Sequence, residues 1–354
     1  MAGGQHETFP VPAALAFLAV ASIAGLALPA APAWADGIAD FYRGKDLRFV
    51  ISTTAGTGYD AYARAVARHL SRHIPGMPAI VPQHMPGAGG ITAANHIYAV
   101  APKDGTVFGM IQNTVPFEPL FENKAALFDA NRFGWLGTPA TEVGLVIVYH
   151  TSKIKTLRDA QTHEFIAGTT GTASTPAFYG RLFNQLLGMK TRLIPGYPSQ
   201  LDLLLAMEKG EIEAMTSPFW SSLKVQRPTW YLQKTVTILF QYGAAAHPEL
   251  KDVPYAPDLV RNVDDKVLLA AASAPLVAGR PIGAPPGIPA DRLAALRAAM
   301  AATFKDPQFI ADCEKQGIDC TDTRSGAELQ ELIRDAYAAP DPIKKRLVAI
   351  QQGG

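Results

Sequence analysis

Apolar positions along the chain fall into two alternating rhythms. Leu47-Arg48-Phe49-Val50-Ile51-Ser52 is a short run rich in β-branched and aromatic residues, the pattern of a buried strand. A glycine-rich turn then leads into 59–73, where Ala61, Ala65, Val66 and Leu70 recur at helical spacing with Arg64, Arg68 and Arg72 on another face. The same reading predicts strands at 79–83, 107–111, 144–149, 164–167, 192–194, 211–215 and 236–240. It predicts helices at 91–100, 176–187, 199–209, 290–304, 307–315 and 326–338. Strands alternating with helices indicate α/β units around largely parallel sheets. After the loop Gly283-Ala284-Pro285-Pro286-Gly287 the chain is mostly helical, as expected of a tail that packs back on the first domain.

The front of the chain breaks this rhythm. Residues 11–33 carry no charge and end in a proline-interrupted alanine run, with Ala33-Trp34-Ala35 before Asp36. Small residues at −3 and −1 are what signal peptidase accepts, so cleavage after Ala35 is expected, with an uncleaved membrane anchor as the alternative. The positive n-region is missing: residues 1–10 contain His6 and Glu7 but no Lys or Arg. No cysteine lies near the cleavage point, so no lipid anchor is expected.

Composition narrows the class. With 354 residues, 48% hydrophobic and 18% charged, the chain is long enough for two domains with sizeable cores. Its 32 basic and 31 acidic residues exclude a nucleic-acid-binding tail or polybasic anchor as the main theme. Loss of the leader removes Glu7, leaving 32 basic and 30 acidic residues. Cys313 and Cys320 are too few for a disulfide scaffold; in an oxidising compartment they form a local staple or stay as thiols. The charge is unevenly spread: 61–103 contains no Asp or Glu but holds Arg64, Arg68, Arg72 and Lys103. Those arginines form a solvated face or, at the least, a positive field around the preceding loop.

Three glycine turns carry the candidate chemistry. Thr53-Thr54-Ala55-Gly56-Thr57-Gly58-Tyr59-Asp60 lies between a strand and a helix, where amides and the helix dipole favour an anion. It formally fits a dinucleotide fingerprint, but no acid follows about 20 residues on to hold a ribose. In Gly87-Ala88-Gly89-Gly90 the last two glycines admit close approach of another helix or of a ligand. Gly168-Thr169-Thr170-Gly171-Thr172-Ala173-Ser174-Thr175 has five hydroxyls and no charge, more than helix capping requires. Asp60 either stabilises the first helical turn or orients the loop amides or a bridging water. The motifs of zinc proteases, P-loops and nucleophile elbows are absent from the sequence, and His69 and His73 lack a third ligand nearby. No catalytic residue, metal or cofactor is nominated.

At these loops the sequence resembles the Bug/TctC family, the extracytoplasmic solute receptors of tripartite tricarboxylate transporters. Carrying the resemblance are Gly56-Thr57-Gly58-Tyr59-Asp60, Met85-Pro86-Gly87-Ala88-Gly89-Gly90 and Val100-Ala101-Pro102-Lys103-Asp104-Gly105-Thr106. Further matches are Gly171 to Thr175, Pro195-Gly196-Tyr197-Pro198-Ser199, Lys209-Gly210-Glu211-Ile212-Glu213, and Ala284-Pro285-Pro286-Gly287-Ile288-Pro289-Ala290. Thr57 replaces the second glycine of a pair, Met85 an arginine and Glu213 an aspartate.

The resemblance implies an α/β, periplasmic-binding-protein-like two-lobed clamshell, each lobe a mainly parallel sheet flanked by helices. It places a signal peptide at 1–35, a discontinuous lobe 1 at 36–143 plus 275–354, and lobe 2 at 144–274. It implies a small organic carboxylate in the interlobe cleft, touched by Thr54, Gly56, Thr57, Gly58, Tyr59, Asp60, Gly89, Gly90, Gln112, Asn113, Thr170, Thr172, Ser174, Thr175 and Tyr197. A non-enzymatic, monomeric periplasmic receptor delivering its ligand to the membrane subunits of a tripartite transporter is the expected function. An exported enzyme using the same cleft and a receptor feeding a membrane signalling partner are the alternatives.

Overall fold

The computed structural model describes residues 33–172 and 174–353. The expected leader lies outside them except for its last three residues, which open the first helix. The chain runs α1 (Ala33–Tyr42), β1 (Asp46–Ile51), α2 (Gly58–Leu70), β2 (Ala79–His84), α3 (Ile91–Asn95), β3 (Val107–Met110), β4 (Gly134–Thr138) and β5 (Gly144–Tyr149). It continues with α4 (Leu157–Thr162), β6 (Phe165–Thr169), α5 (Thr175–Leu187), β7 (Thr191–Pro195), α6 (Gln200–Glu208), β8 (Ala214–Met215), α7 (Trp220–Gln226) and β9 (Val236–Tyr242). It ends with α8 (Ala256–Leu259), α9 (Val263–Ala278), β10 (Ile282–Ala284), α10 (Ala290–Phe304), α11 (Pro307–Lys315), β11 (Arg324–Ser325), α12 (Gly326–Tyr337) and α13 (Asp341–Gln352). Among the described residues no helix is long and apolar enough to cross a membrane.

Two sheets result, ordered β11-β4-β10-β3-β1-β2 and β7-β6-β8-β5-β9. The expectation of mainly parallel sheets is corrected: both are mixed. β1 pairs in parallel with β2 and β3, and β6 with β7 and β8. β10 runs antiparallel to β3 and β4, β11 to β4, and β5 to β8 and β9. The reversal follows from connectivity. A helical crossover within one sheet delivers a parallel strand, whereas β5 and β10 arrive from the opposite sheet and are free of that constraint.

Period-two burial fixes the first layer. Leu47, Phe49 and Ile51 of β1 point into a core with α2, α10 and α11, and Val50 points to the other face, beneath α3 and α12. Phe49 packs against Phe108 of β3, the rings tilted by 40° with centroids 4.8 Å apart. In the second sheet Val146 and Val148 face α5 and α9, while Leu145 and Ile147 face α6 and α7. The expected first lobe takes in 275–354, and one helix of that stretch packs on the second sheet. Ile343, Leu347 and Ile350 of α13 lie in the second sheet's core, because their helical spacing fits the groove between α5 and α9. α9 itself serves both layers: Leu268, Leu269, Ala272 and Leu276 face the second core, Ala274 and Ala278 the first.

The arginine face of α2 is partly exposed and paired with acids, so it is not a free positive field. Arg68 pairs with Asp312 at 2.8 Å, and Arg72 Nε donates to Asp306 at 2.7 Å, so α11 neutralises it. His69 and His73 join the same carboxylates at 3.0 and 2.8 Å. The acids that balance the acid-free window therefore come from far along the chain. At the end of α11, Cys313 and Cys320 form a disulfide with Cα atoms 6.1 Å apart. Closing so short a loop restricts the unfolded chain, so reduction under native conditions is expected to lower the unfolding free energy by about 2 kcal/mol. Urea midpoints with and without dithiothreitol, against a Cys313→Ser/Cys320→Ser control that no longer responds, measure this.

Candidate functional site

The first glycine turn leaves β1 at its C-terminal end and enters α2 with Gly56 at φ +80° and Thr57 as N-cap. Asp60, 6% exposed, ties this loop together. It accepts from the Gly56 amide at 2.9 Å and from Arg64 Nε at 2.8 Å, and His84 Nε2 lies 3.2 Å away. With these partners the carboxylate is occupied in shaping the loop. Thr57 Oγ1 accepts from the Asp60 amide, lies 2.7 Å from the Thr53 hydroxyl and donates to the Thr54 carbonyl. The hydroxyls therefore brace the turn, while amides of the first turn of α2 have no intrahelical acceptor.

Tyr59 carries the loop to the junction between the sheets. Its hydroxyl accepts from the Asn113 amide at 2.9 Å and lies 3.3 Å from Asn113 Oδ1 and 3.4 Å from the Gly279 carbonyl. Burial, first of all, pushes its phenol pKa up, so it remains a neutral donor. Gly90, at φ +98°, packs where a Cβ would stand 3.3 Å from Gln112 Nε2 and from Ser52 Cβ. The second glycine turn thereby meets the segment after β3.

The expected residues divide among distinct places. A cleft of about 300 Å³ is lined by Gly56, Thr57 and Gly58 from the first layer and by Ser221, Ser222 and Gln226 of α7 from the second. A smaller interlobe cavity, about 70 Å³, joins Asn113 and Thr114 to Thr175, Phe178 and Leu276. Tyr59 bonds to the wall of the second while its helix begins at the first. Thr54 and Gly89 are exposed and line neither, nor do Gly90, Gln112, Thr170, Thr172, Ser174 or Tyr197. Thr172 offers its carbonyl to Arg181, and Ser174 Oγ donates back to Gly171 at 2.7 Å. The Tyr197 amide donates to the Thr169 carbonyl, holding that loop against the third turn. A recess of about 670 Å³ lies further along the seam, between 244–249 and 317–322. It is larger than the glycine-loop cleft but its walls do not include the loop, and its Lys224 is paired with Glu249 at 2.9 Å.

Two charges that the sequence reading did not single out stand at this junction. Arg280 follows the return crossing from α9, and Glu142 sits on the outward crossing between β4 and β5. Their side chains are 5% and 1% exposed, with Nη2 2.6 Å from Oε1. Ser221 Oγ donates to Glu142 Oε2 at 2.7 Å, adding the second layer to the pair. The guanidinium lies 4.4 Å from the Tyr59 ring centroid and 5.2 Å from that of Tyr62. Burial opposes the charge of Arg280, but Glu142 and the two tyrosines outweigh it and hold the pKa above the ordinary arginine value. A signal existed in the sequence: each is the lone Asp, Glu, Lys or Arg in a long apolar stretch, Arg280 between Lys266 and Asp291 and Glu142 between Arg132 and Lys153.

No family model matches the chain. A UPF0065 protein of Bordetella bronchiseptica is 30% identical over 161 residues, which make up 44% of this chain and 47% of that protein. The chain thus matches about half the length of this curated relative. The architecture matches a TctC solute-binding protein from Polaromonas with TM-score 0.67 at 17% identity, over 87% of this chain and 99% of the other. A Rhodopseudomonas palustris protein with adipate gives TM-score 0.61 at 18% identity, over 88% and 98%. MatC of the same organism, with bound malate, gives 0.58 at 18%, over 87% and 99%. The chain thus shares the architecture of these solved proteins, and one stretch of it is similar in sequence to the UPF0065 protein.

Proposed function

We propose that the protein is an exported receptor that captures a small organic carboxylate between its two layers and hands it to the membrane subunits of a tripartite tricarboxylate-type transporter. The observation that carries this reading is the 300 Å³ cleft, which sets the turn opening α2 against α7 of the other sheet. Such a cleft changes shape when the layers move, as a receptor that must later release its load requires. Helix-start amides and hydroxyls hold an acid without consuming it. Solved proteins of this architecture hold adipate and malate, which supports a di- or tricarboxylate as ligand class. In this reading Gly56, Thr57 and Gly58 line one side of the cleft, and Tyr59 ties it to Asn113, which lines the smaller cavity with Thr175.

A thermal-shift screen with di- and tricarboxylates, amino acids and aromatic acids tests it. A ligand at 100 times its Kd stabilises the folded state by about 2.7 kcal/mol, a rise of several degrees in Tm. Stabilisation by one class of acid and not by neutral solutes of the same size is the expected result. A flat response to every anionic solute would overturn the reading.

A further inference from the structure

Arg280 occupies an electrostatically unusual position. A Cβ added at Gly58 would stand 3.8 Å from its Nη2, so the guanidinium lies against the opening turn of α2. That turn is the positive end of a 13-residue helix, where a cation is unfavourable and an anion favourable. Two positive features therefore converge, the helix start and the guanidinium. The nearest acids are already engaged: Asp60 with Arg64, His84 and the Gly56 amide, and Glu142 with Nη2 of Arg280 itself and with Ser221.

The donor inventory is also incomplete. Arg280 is 4% exposed, lines the 300 Å³ cleft, and its Nε is buried without a hydrogen-bond partner. Nη1 lies 3.4 Å from the Gly279 carbonyl, and the guanidinium also bonds the Tyr59 hydroxyl, so the acceptors it has besides Glu142 are neutral ones that leave Nε unserved. A buried N–H of a charged group left unpaired is costly, and an oxyanion in the adjoining space would satisfy it. The rings of Tyr59 and Tyr62 hold the guanidinium from rotating away.

We propose that Arg280 is the charge anchor and specificity-determining residue of the cleft: one carboxylate of the ligand accepts from Arg280 and from the opening amides of α2, with Glu142 positioning the guanidinium. This inference rests on the carboxylate-receptor reading and adds a full counter-charge to it. Selection then falls on the acid group rather than on hydrogen bonding alone. A neutral amide of the same shape leaves the guanidinium unpaired and is rejected. Glu142 has a second consequence. Because it already offsets much of the arginine's charge, ligand affinity is moderated, which suits release.

Isothermal titration with adipate, malate and the neutral adipamide separates the two readings. Wild-type protein is expected to bind at least one of the acids and to bind adipamide at least tenfold more weakly than adipate. Because Arg280→Gln alone strands a buried Glu142 and risks misfolding, the informative variants are Glu142→Gln and Glu142→Gln/Arg280→Gln, each first checked for a cooperative melt. Glu142→Gln keeps an acceptor for Ser221 and is expected to tighten acid binding about tenfold. The double variant is expected to weaken it at least 100-fold and to abolish the preference for acid over amide. Acid binding within threefold of wild type in a folded double variant would overturn the anchor while leaving the receptor reading in place. Wild-type protein that binds none of the acids would overturn both.

Discussion

Glu142→Leu is expected to lower the unfolding free energy by about 3–5 kcal/mol, the range found when one partner of a buried ion pair is removed. The reason is the charge left behind. Arg280 keeps its proton, sits 4% exposed between two tyrosine rings and retains only neutral acceptors, the Tyr59 hydroxyl and the Gly279 carbonyl at 3.4 Å. Ser221 also loses its acceptor at 2.7 Å. Glu142→Leu/Arg280→Met, which removes both charges and keeps the volume, is expected within about 1 kcal/mol of wild type, because neither desolvation penalty remains. Urea unfolding of the two single variants and the double gives the coupling directly. A loss under about 1 kcal/mol for Glu142→Leu would mean that water or another acceptor reaches the guanidinium. Saturating carboxylate adds a second readout. If a ligand acid pairs with Arg280, it stabilises Glu142→Leu by more than it stabilises wild type.

What the amino-acid pattern reveals depends on how many faces an element buries. α2, α5, α11 and α12 each bury one stripe and leave another in water, so their period shows in the sequence. α9 does not show it, because it faces both cores and its residues Leu268 to Leu276 are apolar nearly all round, with Pro275 inside the helix. β4 is hidden for a related reason: Gly134-Trp135-Leu136-Gly137-Thr138 is buried throughout and shows no alternation. β10 and β11 are too short to carry a period. The glycine turns were legible because a strand, a turn and a helix start are contiguous in the chain. The Arg280–Glu142 pair was not, since each half is a single residue on a different crossing and only the fold brings them together. The same holds for Arg68 and Arg72 of α2, whose acids come from α11 and its N-cap.

Gly279→Ala is expected to cost about 3 kcal/mol or more and to displace the two layers, because it drives the two crossings apart. Gly279 adopts φ +59°, ψ −91°, a conformation that an L side chain rarely takes. Space is the larger obstacle. An added Cβ would stand 1.8 Å from the Ala140 carbonyl oxygen and 2.8 Å from the Thr141 Cα, both backbone atoms of the outward crossing. No rotamer change relieves a clash with backbone, so the return crossing must move, taking with it Arg280 and the carbonyl facing the Tyr59 hydroxyl. Gly287→Ala supplies the control: its φ is +81°, but nothing lies within 4 Å of the added carbon, so it carries backbone strain without a clash. That variant is expected to lose about 1 kcal/mol and keep ligand binding. Gly279→Ala is expected to lose binding along with stability and to change its small-angle scattering profile, since the cleft is defined by the two layers it separates. Equal stability losses in the two variants would show that the crossings yield freely, and the cleft geometry would then not depend on their contact.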